Sequence, residues 1–178
     1  SDTRTFADGA SGTRWLLAIY FALIKTIRMP WLLGVMTLLL YGVAAWLVCE
    51  TLSITSSAGI ILVSGLMVTS PTMISSNFYL TSAHMYAGAL LFACLAAYAY
   101  KKWRHSWIAA FVFMLLSEGS YAAYISMTLC LFFLCSLKEL LFDQEANDKH
   151  NLARHFGMLF LFGGSMVATT VICNLLTG

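Results

Sequence analysis

Five long apolar runs constrain the fold of this chain more than any other feature of its sequence. They lie at residues 31–49, 58–74, 79–100, 121–142 and 155–176. Their lengths match the roughly 20 apolar residues that a helix needs to cross the hydrocarbon core of a bilayer. Membrane β-strands would instead show short alternating segments, which these runs do not. The sequence therefore predicts an all-α, polytopic transmembrane helical bundle.

Composition supports this class and argues against several others. Charged residues make up 10% of the chain, well below the roughly 25% of soluble domains, and the mean hydropathy is +0.81. The net charge of +2 is too small to indicate a nucleic-acid partner. All five cysteines lie inside apolar runs and are interpreted as small buried hydrophobes. The histidines lack metal-binding spacing, so we predict no metal site and no cofactor, and leave dependence on a divalent ion open.

Residues 1–30 form a separate unit before the membrane domain of residues 31–178. They begin as a polar loop without an initiator Met, so we expect the chain to be a piece of a longer protein. A helix is predicted over residues 13–28, but its apolar centre is too short to span a bilayer. Arg14, Lys25 and Arg28 form one cationic stripe on it, which is typical of an amphipathic helix lying in the membrane interface. The stripe either grips a lipid-linked phosphate or anchors the helix to anionic headgroups.

A basic cluster, "KKWRH" at residues 101–105, lies between two apolar segments. The positive-inside rule places it in the cytoplasm, and residues 1–30 then lie outside. The following segment, residues 106–117, would rise only about 18 Å as a helix and cannot cross alone. We therefore expect it to form a hairpin with residues 121–142, which gives about five to six membrane segments including this half-span.

The turn of that hairpin contains a glutamate within otherwise apolar sequence, "LLSEGSYAAYISM". A carboxylate at membrane depth costs about 2.5–3.5 kcal/mol on insertion scales, so Glu118 is first interpreted as functional. Alternatively, the turn is a loop at the water interface, with Tyr121 and Tyr124 as aromatic anchors. His84 forms a polar outer end of its span with Asn77 and Tyr79. It either pairs with Glu118 or is a packing residue.

The amino-terminal loop carries two acids, Asp2 and Asp8, near two arginines. A carboxylate beside a membrane surface can act as a general base toward an attacking hydroxyl. Arg4 and Arg14 could hold a phosphate in bidentate fashion. Two acids in a polar loop are also ordinary, and spacing alone does not decide between these interpretations.

Three stretches together resemble the serotype-converting O-antigen glucosyltransferases. "SEGSYAAYISMTLCLFFL" is similar to the family's Ser-x-Gly-x-Tyr-Gln-Ala-Tyr-Ile segment, with Ala122 in place of Gln. "SSNFYLTSAHMYAGALLFACLAAYAYKK" resembles its outer-loop Phe-Tyr and the span that ends in basic residues. "SDTRTFADGASGTRW" resembles its first periplasmic loop, with Ser1 where the first of two paired acids would stand.

The resemblance implies a multi-pass, inverting glycosyltransferase of the bacterial inner membrane. Such enzymes take glucose from a polyprenyl-phosphate donor and place it on O-antigen, a part of lipopolysaccharide, at the periplasmic face. The general base would be Asp2, with Asp8 in reserve, and residues 1–30 would be periplasmic. The expected partners are the lipid-linked sugar donor, the O-antigen acceptor and membrane lipid.

The resemblance assigns Arg4 and Arg14 to the donor phosphate and matches Tyr121 and Tyr124 to the tyrosines of its second motif. The other candidates come from the residue patterns described above. The donor phosphate would be bound by the four cationic residues Arg4, Arg14, Lys25 and Arg28. The substrate pocket would be lined by Asn77, Tyr79, His84, Glu118, Tyr121 and Tyr124.

Two other functions remain open from the sequence. In a transporter or flippase fragment, Glu118 and His84 would form a proton or substrate relay. Such proteins carry inverted repeats with broken helices in both halves, and Pro71 has no counterpart in the later spans. A non-catalytic assembly subunit would also fit the short length.

Overall fold

The computed structural model describes residues 15–16, 19–20, 29–69, 83–102, 107–142 and 149–177. Every element described is helical, which confirms the all-α prediction. The elements are α1 (Pro30–Thr51), α2 (Ser57–Thr69), α3 (Ala83–Lys102), α4 (Trp107–Tyr121), a 3-10 turn (Ala122–Tyr124), α5 (Ile125–Phe142) and α6 (Lys149–Thr177). Trp15, Leu16, Ile19 and Tyr20 are also helical.

Within the described residues, four helical stretches are long and apolar enough to cross a membrane. They are Trp31–Thr51, Ala83–Lys102, Trp107–Glu139 and Phe156–Leu175, with Ser57–Val68 as a shorter apolar helix. The predicted polytopic bundle is thereby confirmed.

The third stretch is a hairpin rather than one straight helix. At one end of α3 the ring centroids of Tyr86 and Tyr121 lie 4.9 Å apart. At the other end those of Tyr100 and Phe132 lie 5.4 Å apart. Helix α4 therefore packs along α3 in the opposite direction, and α5 brings the chain back along it. The reversal begins at Tyr121, whose extended backbone, φ −159° and ψ 104°, interrupts the helix before the 3-10 turn. The predicted hairpin is present, and its two arms pack on α3 more than on each other.

Helix α3 is the centre of the bundle because its side chains are small. Ala87, Ala89, Ala93 and Ala96 have no exposed surface. Small residues let helix backbones approach closely in a membrane, where helices gain no hydrophobic driving force by leaving lipid. Helices α1 and α4 accordingly pack most extensively on α3, and α5 packs on it as well.

Lysines from two helices close the end of the bundle where α1 stops. The Lys101 Nζ donates hydrogen bonds to the carbonyl of Thr51 and, at 3.2 Å, to the Ser53 hydroxyl. The Lys138 Nζ donates to the carbonyl of Leu52 at 2.7 Å. The last carbonyls of a helix have no partner within the helix and carry partial negative charge. The two lysine ammonium groups supply the missing hydrogen-bond donors at the end of α1. We call this region the lysine end.

The opposite end of the bundle holds the start of α3 and the end of α4. It contains His84 and Glu118, both buried, and Tyr121. We call it the polar end. Helices α1, α3 and α5 run from the polar end to the lysine end, and the others run back.

Helix α2 is held differently from its neighbours. It has 13 residues and none of them is buried. A groove of about 480 Å³ separates it from α1, and a groove of about 810 Å³ lies between α2, α3 and α5. The helix was predicted within residues 58–74 and is described as far as Thr69. The remainder of that run, with Pro71, lies outside the described residues.

Candidate functional site at the polar end

Glu118 is the centre of the polar end, and its partners come from α6. It lies in the last turn of α4 with 2% of its surface exposed. The Ser165 hydroxyl lies 2.6 Å from its Oε1, and the Thr169 hydroxyl donates to its Oε2 at 2.6 Å. Ser165 and Thr169 are four residues apart and so share one face of α6. The three side chains tie α4 to α6.

The hydrogens available in this cluster fit a neutral carboxyl group. Ser165 Oγ is also 2.9 Å from the carbonyl of Phe162. A hydroxyl carries one hydrogen. All contacts are therefore satisfied together if Glu118 Oε1 donates to Ser165 Oγ, while Ser165 donates to Phe162 and Thr169 donates to Oε2. A neutral group also avoids placing an unpaired charge in an apolar interior.

This geometry corrects two sequence interpretations. Glu118 is buried within a helix, so the alternative of a loop at the water interface is wrong for this residue. Its hydrogen-bond partners are on α6, and the hydrogen bonds described for Glu118 do not include the suggested pairing with His84.

The serines beside Glu118 are also accommodated within the packed bundle. Ser117 donates to the carbonyl of Ala89 on α3 at 2.9 Å. Ser120 donates to the carbonyl of Leu116 in its own helix at 2.8 Å. The polar interruption that the sequence shows at residues 117–120 is therefore a buried, hydrogen-bonded contact surface of α4.

Gly119 receives a tryptophan from the amino-terminal helix. A Cβ atom added to Gly119 would lie 2.5 Å from Trp15 Cε2, 2.6 Å from its Nε1 and 2.8 Å from its Cζ2. Real Cβ atoms essentially never come within 3.0 Å of such neighbours. The indole edge thus occupies the place where any other residue would carry its side chain.

A second contact joins Tyr20, which is also helical, to the start of α3. The ring centroids of Tyr20 and His84 are 5.3 Å apart with an angle of 43° between planes. Burial raises the pKa of the Tyr20 phenol, which keeps it a neutral hydroxyl. His84 is 4% exposed, and neither ring nitrogen has a hydrogen-bond partner among the described residues. The buried Trp15 Nε1 is likewise unpartnered within that part of the chain.

Three tyrosines line the outside of the hairpin turn. Tyr86 and Tyr121 meet edge to face, and the centroids of Tyr121 and Tyr124 lie 5.7 Å apart. Tyr124 also lines the 810 Å³ groove beside α2. The tyrosine rings thus lead from the polar end into a groove between helices.

The predicted site residues divide into two sets. His84, Glu118, Tyr121 and Tyr124 all lie at the polar end. The others lie outside the described residues: Asp2, Arg4, Asp8, Arg14, Lys25, Arg28, Asn77 and Tyr79. Within the described ranges no group of three or more candidate metal ligands occurs.

Sequence reasoning missed five residues at this site. They are Trp15, Tyr20, Tyr86, Ser165 and Thr169. The signal for Ser165 and Thr169 was weak, because hydroxyls in membrane helices commonly bond to their own backbone. The Ser/Thr spacing of four residues on α6 was the available clue.

Comparisons with known proteins agree with the sequence resemblance. The chain matches the family described as Glucosyl transferase GtrII over residues 2–177. No curated protein sequence and no solved structure shows a significant match to it.

Proposed function

Because the chain belongs to the glucosyl transferase GtrII family, we propose that it transfers glucose from a polyprenyl-phosphate donor to O-antigen. The reaction takes place at the periplasmic face of the bacterial inner membrane, with inversion at the anomeric carbon. Residues 1–30 are periplasmic in this proposal, and the four membrane-length helical stretches hold the chain in the bilayer.

The contact between Trp15 and Gly119 is the observation that carries the proposal. It joins Trp15, which follows the acids and arginines of the family resemblance in the sequence, to the polar end. Arg14 directly precedes Trp15 in the chain. The proposal assigns Arg14 to the donor phosphate because its neighbour in sequence, Trp15, contacts the end of α4.

The proposed chemistry needs a base, cations and a lipid-accessible groove. The Asp2 carboxylate removes the proton of the acceptor hydroxyl as its oxygen bonds to the anomeric carbon. The bond from that carbon to the phosphate oxygen breaks, and its electron pair leaves with the phosphate. Arg4 and Arg14 stabilise the charge that grows there, with Lys25 and Arg28 on the same stripe. Asp8 is the reserve base.

The pocket for the sugar is proposed at the polar end. Tyr121 and Tyr124 contribute their aromatic rings, and His84 contributes ring nitrogens that are unpartnered within the described part of the chain. Glu118 supports the pocket from below through α6. Asn77 and Tyr79 complete the proposed pocket. The 810 Å³ groove beside Tyr124 offers the polyprenyl tail a lateral approach from the bilayer.

The full-length protein in bacterial membranes tests the proposal. Radiolabelled glucose supplied on polyprenyl phosphate should pass to O-antigen with the wild type. Asp2→Asn should reduce transfer by about 10²–10⁴-fold, the usual contribution of a general base, while membrane insertion is unchanged. An unaffected Asp2→Asn variant would remove Asp2 from the mechanism. Absence of transfer by the inserted wild type would refute the function.

A further inference from the structure

We propose that Gly119 is a positioning residue for glucosyl transfer. The space left by its missing side chain holds the indole of Trp15, and this contact holds Trp15 at the polar end. The inference rests on the proposed function for its kinetic consequence, whereas the contact itself can be tested without any activity.

The geometry leaves no room for even one added carbon. Three indole atoms lie 2.5–2.8 Å from the position of an added Cβ, and ordinary van der Waals contact begins at 3.4 Å. The indole edge would have to recede by about 1 Å to restore contact distance. Because glycine is a poor helix former, its presence within α4 is explained by this close approach.

The hairpin side of the contact is held rigidly, so the tryptophan is the partner that would move. Glu118 precedes Gly119 directly and is bonded to Ser165 and Thr169 on α6. Ser117 is bonded to α3. These three hydrogen bonds hold the α4 backbone on two sides.

Among the described glycines, Gly119 is unusual in what its Cβ would meet. An added Cβ at Gly88 or Gly163 would meet nothing within 4 Å, and at Gly164 it would make an ordinary contact of 3.6 Å. Gly59, in the first turn of α2, is crowded by Ile54 and Ser56 from the loop just before that helix. At Gly119 the crowding atoms belong to a helix about a hundred positions earlier in the chain, which indicates docking between elements rather than a local turn.

Displacement of Trp15 would spread along the amino-terminal helix. Tyr20 lies five residues later in the chain, is also helical, and contacts His84. Arg14 is bonded covalently to Trp15. A shift at the indole therefore changes the placement of a proposed phosphate ligand without touching it directly.

The first test is kinetic and uses the purified full-length protein. Gly119→Ala should lower kcat by about 100-fold, the loss that a misplacement near 1 Å can produce. The rate is expressed per folded, monodisperse molecule. Gly88→Ala is the matched control, because its added Cβ meets nothing, and it should retain the wild-type rate.

A second substitution separates steric displacement from general damage. Trp15→Leu removes all three crowding indole atoms, so Gly119→Ala should cause no further loss in that background. Such non-additivity is expected only for residues in contact. If the two losses multiply, or if Gly119→Ala alone has no effect on kcat, the inference is wrong.

A cross-linking assay measures the contact between residues 20 and 84 without requiring glucosyl transfer. In a chain whose native cysteines are replaced, Tyr20→Cys and His84→Cys should be joined by a short bifunctional thiol reagent. Gly119→Ala should reduce the yield several-fold, and Gly88→Ala should not. If the wild type shows no glucosyl transfer but cross-linking changes as expected, the docking stands and the proposed function fails. If the wild type transfers glucose normally and Gly119→Ala leaves the cross-linking yield unchanged, the positioning role is refuted.

Discussion

The connection between Glu118 and α6 should be more sensitive to loss of the hydroxyls than to loss of the glutamate. The hydroxyls of Ser165 and Thr169 each lie 2.6 Å from the carboxyl group, which is almost fully buried. Removing both hydroxyls by Ser165→Ala and Thr169→Val leaves a buried carboxyl group without these partners. Hydrogen bonds between membrane helices contribute about 0.6 kcal/mol on average and at most about 1.7. Two such bonds give an expected loss of about 1–3 kcal/mol.

The opposite change should cost less. Glu118→Met keeps an apolar chain of similar length, and Ser165 can still donate to the carbonyl of Phe162. Removing one partner of a buried polar pair is costly, whereas replacing the whole set by apolar groups is often neutral or stabilising. In the double hydroxyl variant, Glu118→Met should therefore restore stability. Glu118→Gln should be close to wild type, because its amide can donate to Ser165 and accept from Thr169.

Unfolding of the purified full-length protein in mixed micelles, followed by circular dichroism as the SDS fraction rises, measures these free energies. Thr170→Val is the matched control, since Thr170 is exposed on the same helix and bonds only to the carbonyl of Met166. Its expected effect is below about 0.5 kcal/mol. The reasoning is refuted if the double hydroxyl variant unfolds like the wild type, or if Glu118→Met destabilises it further.

Two further predictions use the same unfolding assay. Lys138→Met should destabilise the bundle by about 1 kcal/mol, because a carbonyl at the end of α1 loses its charged donor. Lys102→Met, which removes an exposed ion pair with Glu50 and a contact with the Tyr98 ring, should destabilise the bundle less than Lys138→Met does, and equal effects would contradict the capping role. Ser117→Ala should cost about 1 kcal/mol through loss of its buried bond to α3. Ser126→Ala, at an exposed serine bonded within its own turn, should be nearly neutral, and the reverse order would contradict the assignment.

Hydropathy predicted the membrane helices well because the requirement that makes them helical acts within each segment. A run of apolar residues forms a helix in lipid since every backbone group must be satisfied within the segment. The first run, predicted at residues 31–49, is the helix Pro30–Thr51. The hairpin was predicted because twelve residues cannot cross a bilayer alone, but its turn lies later than predicted: α4 continues through residues 117–121, and the turn is Ala122–Tyr124. Helix length is thus readable from one segment at a time.

Partners across the bundle could not be predicted in the same way. The cost of burying a carboxylate identified Glu118 from the sequence, but its hydroxyl partners lie about fifty residues later on an apolar helix. Nothing local distinguishes them from hydroxyls that bond their own backbone. The basic cluster at residues 101–105 indicated a side of the membrane. It did not indicate that Lys101 donates to the last carbonyl of α1, because that contact depends on which helices lie side by side.

The contact of Trp15 with Gly119 shows the same limit. The sequence indicated an interfacial helix, and the glycine indicated a close approach. Which side chain approaches is decided by how the amino-terminal helix lies on α4, and no periodicity within either segment contains that information.

The alanines of α3 have a consequence for how this protein can diverge. Several positions along α3, the helix on which α1, α4 and α5 pack, are alanines without exposed surface. A mutation that enlarges any of these positions would push against more than one neighbour at once, with no lipid or water able to yield. Tolerated changes should therefore accumulate on the outward faces, above all on α2, while the central rod keeps its small residues in homologues that perform different chemistry.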